Sequence, residues 1–408
     1  MENDRLHGAD FLRAAACLLV LFHHLAQRMS WNQALPGIEW FRMFALNGSF
    51  GVAVFFVLSG FLLSRPYWLA FDARAPMPSL SVYVLRRSAR ILPGFWVALL
   101  ASFVISILVF GARFDGQLVL RLVSGALLVS DWHPVTLFPV EVNGPLWSIG
   151  FEVTSYALLP LGFLLLWPLR RVMPGGWGRF GWLGVIAGVL VVHLAFVAWY
   201  PMDMQGRGWE NGLIGGAKTW MPQYNPFGFF AMFAVGALAA SLQVRASRLR
   251  HWGFDLAAVA ALVAVGALLL VQARARTSEG WGLLGIPYDF PWFVLATGAV
   301  LVTAPSSRLV GSLLDNPVSR YLARISFGIY IWHYPVLELV RHYWAPDMDH
   351  GQMADPVKFM VTSAIITAIS LVVAKLSYSF VESPVIRWAR QREGKRAPAR
   401  AGVAEAVG

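Results

Sequence analysis

The chain has 408 residues, 57% of them hydrophobic and only 13% charged, where ordinary soluble domains carry about a quarter charged residues. With a mean hydropathy of +0.58, this excludes a soluble globular protein, and the single cysteine, Cys17, excludes an internal disulfide and a cysteine-based metal cluster. The formal net charge of +11 is placed along the chain in a way that points to membrane topology, not to nucleic acid.

The fold class predicted is all-α: a polytopic integral membrane protein with about ten transmembrane helices, each near the roughly 20 apolar residues a bilayer needs. The expected spans are 10–28, 48–65, 91–111, 146–168, 180–200, 227–243, 254–272, 289–305, 321–340 and 357–382. The first is expected to stay in the chain, because its apolar run leads into His23 and His24 with no small-residue cleavage site behind it. The stretch 118–130 is too short and too charged to span, and is expected to lie in the interface or to re-enter. About 22 of the 33 basic residues fall on one side of this bundle. They include Arg5, Arg13, Arg86, Arg87, Arg90, Arg170, Arg171, Arg248, Arg250, Arg308, Arg387 and Arg400. By the positive-inside rule that side is cytoplasmic, with both termini in it. One unit, 1–388, holds all spans. The tail 389–408 is basic and is expected to be disordered. No internal repeat is visible, and the longer loops, about 112–145 and 201–226, are rich in Gly, Pro, Trp and Asn.

In chain order, the first span "FLRAAACLLVLFHHLA" places Arg13 and His24 eleven residues apart, about 20° past three full turns. They share one helix face, roughly 16 Å apart along the axis, while His23 points some 80° away. Ionisable groups at that depth are costly and are either functional or paired. The second span, "NGSFGVAVFFVLSGFLLSRP", carries Gly48, Gly51, Ser59 and Gly60, which allow close backbone approach. In "YVLRRSARILPGFW", Arg86, Arg87 and Arg90 cluster at what reads as a helix start, with Pro93 in its first turns. Such a cluster suits a polyphosphate, and equally suits ordinary positive-inside anchoring. "NGPLWSIGFEVTSYALLP" brings Trp147, Ser148 and Glu152. Depth counting puts Glu152 level with His24, predicting one dry pocket in which the two share a proton or form a buried structural pair. "ISFGIYIWHYPVLEL" sets Tyr330 and His333 in mid-span, with Glu338 nearer the outer side. In "SYSFVESPVIRW", Glu382 is expected to pair with a nearby arginine.

Together these six stretches, in this order, resemble the membrane acyltransferase 3 family from about Asp10 to Trp388. Arg13 and His24 match its basic-x10-His spacing. "FFVLSGFLLSR", "RRSARILP", "GPLWSIGFEVTSY", "SFGIYIWHYPV" and "VESPV" resemble its further motifs. Phe11 stands where the family often has Gly, and "VTSY" after Glu152 departs from its usual pattern; both bear on substrate class more than on reaction class.

The resemblance implies an O-acyltransferase of the bacterial inner membrane. It implies an acyl-CoA donor, acetyl-CoA first, held by Arg13, Arg86, Arg87 and Arg90. His24 would be the general base, and Glu152 would orient or charge-stabilise it. Trp147, Ser148, Tyr330 and His333 would contact the acceptor. No permanent cofactor and no metal are implied. The acceptor would be a hydroxyl of a cell-envelope glycan, such as lipopolysaccharide or exopolysaccharide, or of a lipid-linked sugar at the periplasmic side. A homo-oligomer fits the same reading. Three other readings stand beside it: acylation or succinylation of a small secondary metabolite or periplasmic glucan, a proton-coupled transporter using His24, Glu152 and His333, and a scaffold subunit of an envelope-glycan assembly system.

Overall fold

The computed structural model describes residues 6–30, 44–171, 177–247, 249, 251–275 and 280–396, the side chains of 274–275 and 394–396 excepted. Among these residues the chain is helical and forms no strand; its one bridge pairs Met29 with Met353. Of the basic residues used for orientation, Arg5, Arg248, Arg250 and Arg400 lie outside the described residues, as does 397–408 of the tail. Residues 389–396 continue a helix.

Among the described residues, eight helical segments are long and apolar enough to cross a membrane. Six of them begin or centre on α1 (Ala9–Ala26), α2 (Gly51–Asp72), α3 (Leu80–Leu108), α5 (Trp147–Leu166), α6 (Gly178–Trp199) and α8 (Pro226–Ala246). The other two are α9 (Trp252–Ala275) and α13 (Pro356–Ser377), the latter running on through a π-helical turn, Tyr378–Glu382, into α14 (Ser383–Arg396). The two remaining expected spans are present as helices of a different kind. One is α10 (Trp292–Thr303), shorter than the rest, and the other is α12 (Pro317–Trp344), long but rich in polar side chains. The short helices α4 (Gly116–Ala126), α7 (Gly212–Trp220) and α11 (Val310–Leu314) lie between them. Stretch 118–130 is thus no span: α4 keeps Leu120 and Val123 exposed while Arg121 is buried against the Phe138 carbonyl and Glu141.

Helix starts follow local chemistry. Asn225 caps α8 by accepting from the backbone N–H of Phe227 and Gly228, with Pro226 in the first turn. Asn316 and Ser319 form a capping box on α12, again followed by proline, and Asp355 caps α13. Among the boundaries that differ from the sequence reading, one bears on the arginines. α3 begins at Leu80, so Pro93 lies in its interior and the arginines occupy its early turns. Interior proline is tolerated in such helices because neighbouring groups re-satisfy the backbone it frees.

Burial sorts the helices. α8 is apolar on all sides and buried along nearly its whole length, so it is the centre of the bundle. It meets α2 at backbone distance: a Cβ on Gly60 would overlap the Phe233 carbonyl, and one on Gly236 the Val57 carbonyl. Small residues permit this approach, which in lipid replaces the hydrophobic drive that water would supply. α1 packs against α2 and α12. α6 and α9 instead expose Leu183, Val191, Val192, Leu256, Val259 and Val263, the faces of a lipid-bathed periphery.

Candidate active site

Two cavities open within the bundle formed by α1, α2, α5 and α12. The first holds about 80 Å³ and is lined by Arg13 of α1, Ser59 of α2, Arg87 and Arg90 of α3, and Glu152 and Tyr156 of α5. The second holds about 650 Å³ and is lined by His23 and His24 at the far end of α1, by Trp147, and by Trp209, Trp220 and Tyr224 from the loop side. Tyr330 and Val52 line both.

The arginine cavity is built by charge. Three guanidiniums face one carboxylate. Arg87 Nε is buried with no hydrogen-bond partner among the described residues. A buried cation left partly unsatisfied is costly unless an anion completes it. Arg13 has only a loose contact with Asp10, at 4.0 Å. Glu152, in the same cavity, accepts from Ser59 Oγ at 3.2 Å, and the Tyr156 hydroxyl donates to the same oxygen. Arg86, expected in the same cluster, is not there. Its side chain is 55% exposed and forms a two-bond ion pair with Glu393 of α14, at 2.9 and 2.5 Å. Its spacing puts Arg86 only about 40° from Arg90 around the helix, and the Glu393 carboxylate draws it out of the cavity. Among the described residues Glu382 forms no ion pair and its Oε2 has no hydrogen-bond partner; it accepts from Ser377 at 3.2 Å and packs on Gly94 of α3.

The aromatic cavity is built by rings. Trp220 stacks on Tyr224 at 4.7 Å and 16°, with Trp147 and Trp209 edge-on to Trp220 at 5.3 and 5.2 Å. Among the described residues no lysine or arginine lines it, and Glu210 is its carboxylate. His350, on the loop after α12, also lines it, and burial together with the Arg28 cation holds that imidazole below its usual range. At the junction, the Tyr330 hydroxyl donates to the Pro145 carbonyl at 3.0 Å and meets Ser148 Oγ at 2.6 Å. Ser148 and Tyr330, predicted as acceptor contacts, are therefore one fixed unit between the cavities, and Trp147 is a wall of the larger one.

His24 stands at the junction side of the aromatic cavity. Its Nδ1 lies 2.9 Å from the Val20 carbonyl and 3.1 Å from His333 Nε2. Tyr334 meets its ring edge-on at 5.1 Å. Glu152 does not touch it. The expected His24–Glu152 pocket is replaced by two sites, because depth along the membrane fixes height but not which lateral gap a side chain enters. His23 is no lipid-side residue: it is buried, its Nδ1 2.5 Å from the Leu46 carbonyl.

Sequence reasoning passed over Arg28, which is 1% exposed. It pairs with Glu338 at 2.7 Å and donates to the Tyr334 hydroxyl at 3.1 Å, while Arg341 binds the other Glu338 oxygen at 2.9 Å. Backbone bonds from Gly351 and Met353 to the Gln27 and Arg28 carbonyls tie the following loop to the end of α1. Its signal was in the sequence, one helical turn after His24. Trp209, Trp220 and Tyr224 were likewise visible only as an aromatic-rich loop.

The model of the acyltransferase domain family, acyltransferase 3, covers residues 6–375, and the chain belongs to that family. The chain is 27% identical over 401 residues to the acyltransferase MdmB of Streptomyces mycarofaciens, covering 94% of this chain and 92% of that one. It is 25% identical to the putative peptidoglycan O-acetyltransferase YrhL of Bacillus subtilis and 24% to the O-acetyltransferase OatA of Staphylococcus aureus. Each of those matches covers 93% of this chain but only 54% and 57% of the relative, so the chain spans about half the length of these two proteins.

Proposed function

We propose that this membrane acyltransferase moves an acyl group, acetyl in the first place, from acyl-CoA on the cytoplasmic side to a hydroxyl of a glycan or glycoside on the periplasmic side of a bacterial inner membrane. The observation that supports it most is the meeting of the two cavities at Tyr330. The arginine cavity lies where Arg13, Arg87 and Arg90 gather, and the positive-inside rule favours the cytoplasm for such a basic end. Arg87 and Arg90 bind the donor's phosphates there, and Arg13 lines the passage. Glu152 belongs to this donor side, bonded to Ser59 and Tyr156.

The acceptor occupies the aromatic cavity, whose rings offer flat faces to a sugar. The Glu210 carboxylate in its lining favours an uncharged or amino-bearing acceptor over an acidic one. His24 Nε2 takes the proton of the acceptor hydroxyl as its oxygen forms a bond to the thioester carbonyl carbon. The carbon–sulfur bond then breaks, and the leaving thiolate takes that proton from His24, giving the ester and free coenzyme A. The names of the peptidoglycan and other O-acetyltransferase relatives support hydroxyl acylation. A proton-coupled transporter would want His24, Glu152 and His333 on one hydrogen-bonded path, and Glu152 is bonded elsewhere.

Mass spectrometry of envelope glycans and extracted metabolites, from cells with the intact gene and with a His24→Ala copy, tests this reading. An ester present in the first and missing from the second supports it. Identical profiles, with the purified wild-type protein unable to consume acetyl-CoA in the presence of envelope extracts, overturn it.

A further inference from the structure

The hydrogen bonds around His24 and His333 fix where their protons sit. His333 is 1% exposed, and its Nδ1 lies 3.0 Å from the Ile329 carbonyl one turn back on α12. A carbonyl only accepts, so Nδ1 of His333 carries the proton and Nε2 keeps its lone pair in the neutral ring. That lone pair lies 3.1 Å from Nδ1 of His24. His24 Nδ1 also faces the Val20 carbonyl at 2.9 Å. Both neighbours are acceptors, so His24 Nδ1 is a shared donor. Its Nε2, which has no partner among the described residues, is left unprotonated on a ring that lines the aromatic cavity.

We propose that His333 is a positioning residue that selects this tautomer of His24, keeps its Nε2 free to act as base, and accepts a stronger hydrogen bond from Nδ1–H when the ring becomes an imidazolium. This rests on the reading of His24 as the base and replaces the expectation that His333 contacts the acceptor. In acyl transfer, the hydroxyl proton goes to His24 Nε2, and the Nδ1–H bond shortens toward His333 Nε2 as charge develops. When the thiolate takes the proton back, both rings return to the starting tautomers. The arrangement has the logic of a serine-protease triad, in which the group behind the imidazole holds its tautomer and stabilises its charged form, with a neutral imidazole in the carboxylate's place. The other groups that face His24 are His23 on its own helix, Tyr334 on α12, and the Arg28 guanidinium bound to Tyr334 and Glu338. None of them presents an acceptor to Nδ1 of His24 among the described residues.

Two substitutions separate this role from packing. Gln places its amide oxygen near the position of Nε2, and Asn near that of Nδ1. His333→Gln is expected to retain most of the wild-type kcat. His333→Asn is expected to lose about 10–100-fold in kcat, the usual loss when the group orienting a working histidine is removed, with both KM values unchanged. Elution on size exclusion confirms that each variant folds. Equal losses in the two variants, or a raised acceptor KM with kcat intact, overturn the proposal. A measurement free of activity stands beside the kinetics: the 15N spectrum of histidine-labelled wild-type protein, with His24 and His333 assigned by substitution. Both rings are expected to carry their proton on Nδ1, and either ring protonated on Nε2 overturns the proposal. A wild-type protein that transfers no acyl group overturns the proposed function, whereas the spectrum judges the histidine pairing on its own.

Discussion

The arginine cavity and the aromatic cavity are two solutions to burying polar chemistry inside a bilayer. The first concentrates like charge. Arg13, Arg87 and Arg90 share one lining carboxylate, Arg87 Nε is unsatisfied, and the space is narrow. The second is about eight times larger, shows no lining cation among the described residues, and holds the His24 ring between the Val20 carbonyl and His333 Nε2. A site short of an anion awaits one; a site whose histidine is held in one orientation is preorganised for proton transfer. The contrast assigns binding of the charged donor to one end and proton transfer to the other.

The sharpest break in this division comes from His24. His24→Ala is expected to lower acyl transfer by about 10²–10⁴-fold, the usual worth of a general base, with donor KM unaltered. His23→Ala removes one bond to the Leu46 carbonyl and is expected to cost stability of about 1 kcal/mol with most activity kept. Rates from labelled acyl-CoA with purified variants check both; if His23→Ala is the dead variant, the division is wrong at its centre.

Next in size is the donor end. Arg87→Gln and Arg90→Gln are each expected to weaken acyl-CoA by about 1.5–3 kcal/mol, the worth of a charge-assisted contact, seen as a raised donor KM at constant acceptor KM. A donor KM that does not move would reduce these arginines to topological anchors.

The bundle that holds the two cavities apart depends on α2 and α8 lying at backbone distance. Gly60→Ala or Gly236→Ala should destabilise the fold by about 1–3 kcal/mol through overpacking, read as a lowered midpoint in thermal unfolding monitored by circular dichroism. An unchanged midpoint would show that the helices separate freely at this crossing. The smallest effect is predicted for Arg86→Gln. It breaks an exposed pair with Glu393 worth about 0–1 kcal/mol and leaves donor KM alone, which sets Arg86 apart from Arg87, its immediate neighbour.

The hydrophobic runs made the spans legible, because twenty apolar residues have few other uses, and the eleven-residue spacing placed Arg13 and His24 on one face. What the sequence did not carry was lateral. Glu152 and His24 were matched in height, yet neighbouring helices direct one toward Ser59 and Tyr156 and the other toward His333. The His24–His333 contact joins residues 309 apart in the chain, beyond any local pattern. Arg86 was grouped with Arg87 and Arg90 by i,i+3 and i,i+4 spacing, which gives a helix face but not the partner a long side chain reaches, here Glu393. Pro93 read as a helix start because proline in water marks one; in a bundle embedded in lipid it does not.

The division of labour is tested most directly in proteoliposomes of uniform orientation, with labelled acetyl-CoA and a glycan acceptor supplied on chosen sides. Transfer is predicted only when acetyl-CoA is on the side of the chain termini and the acceptor on the opposite side. Transfer that requires both substrates on one side would contradict the two-cavity account.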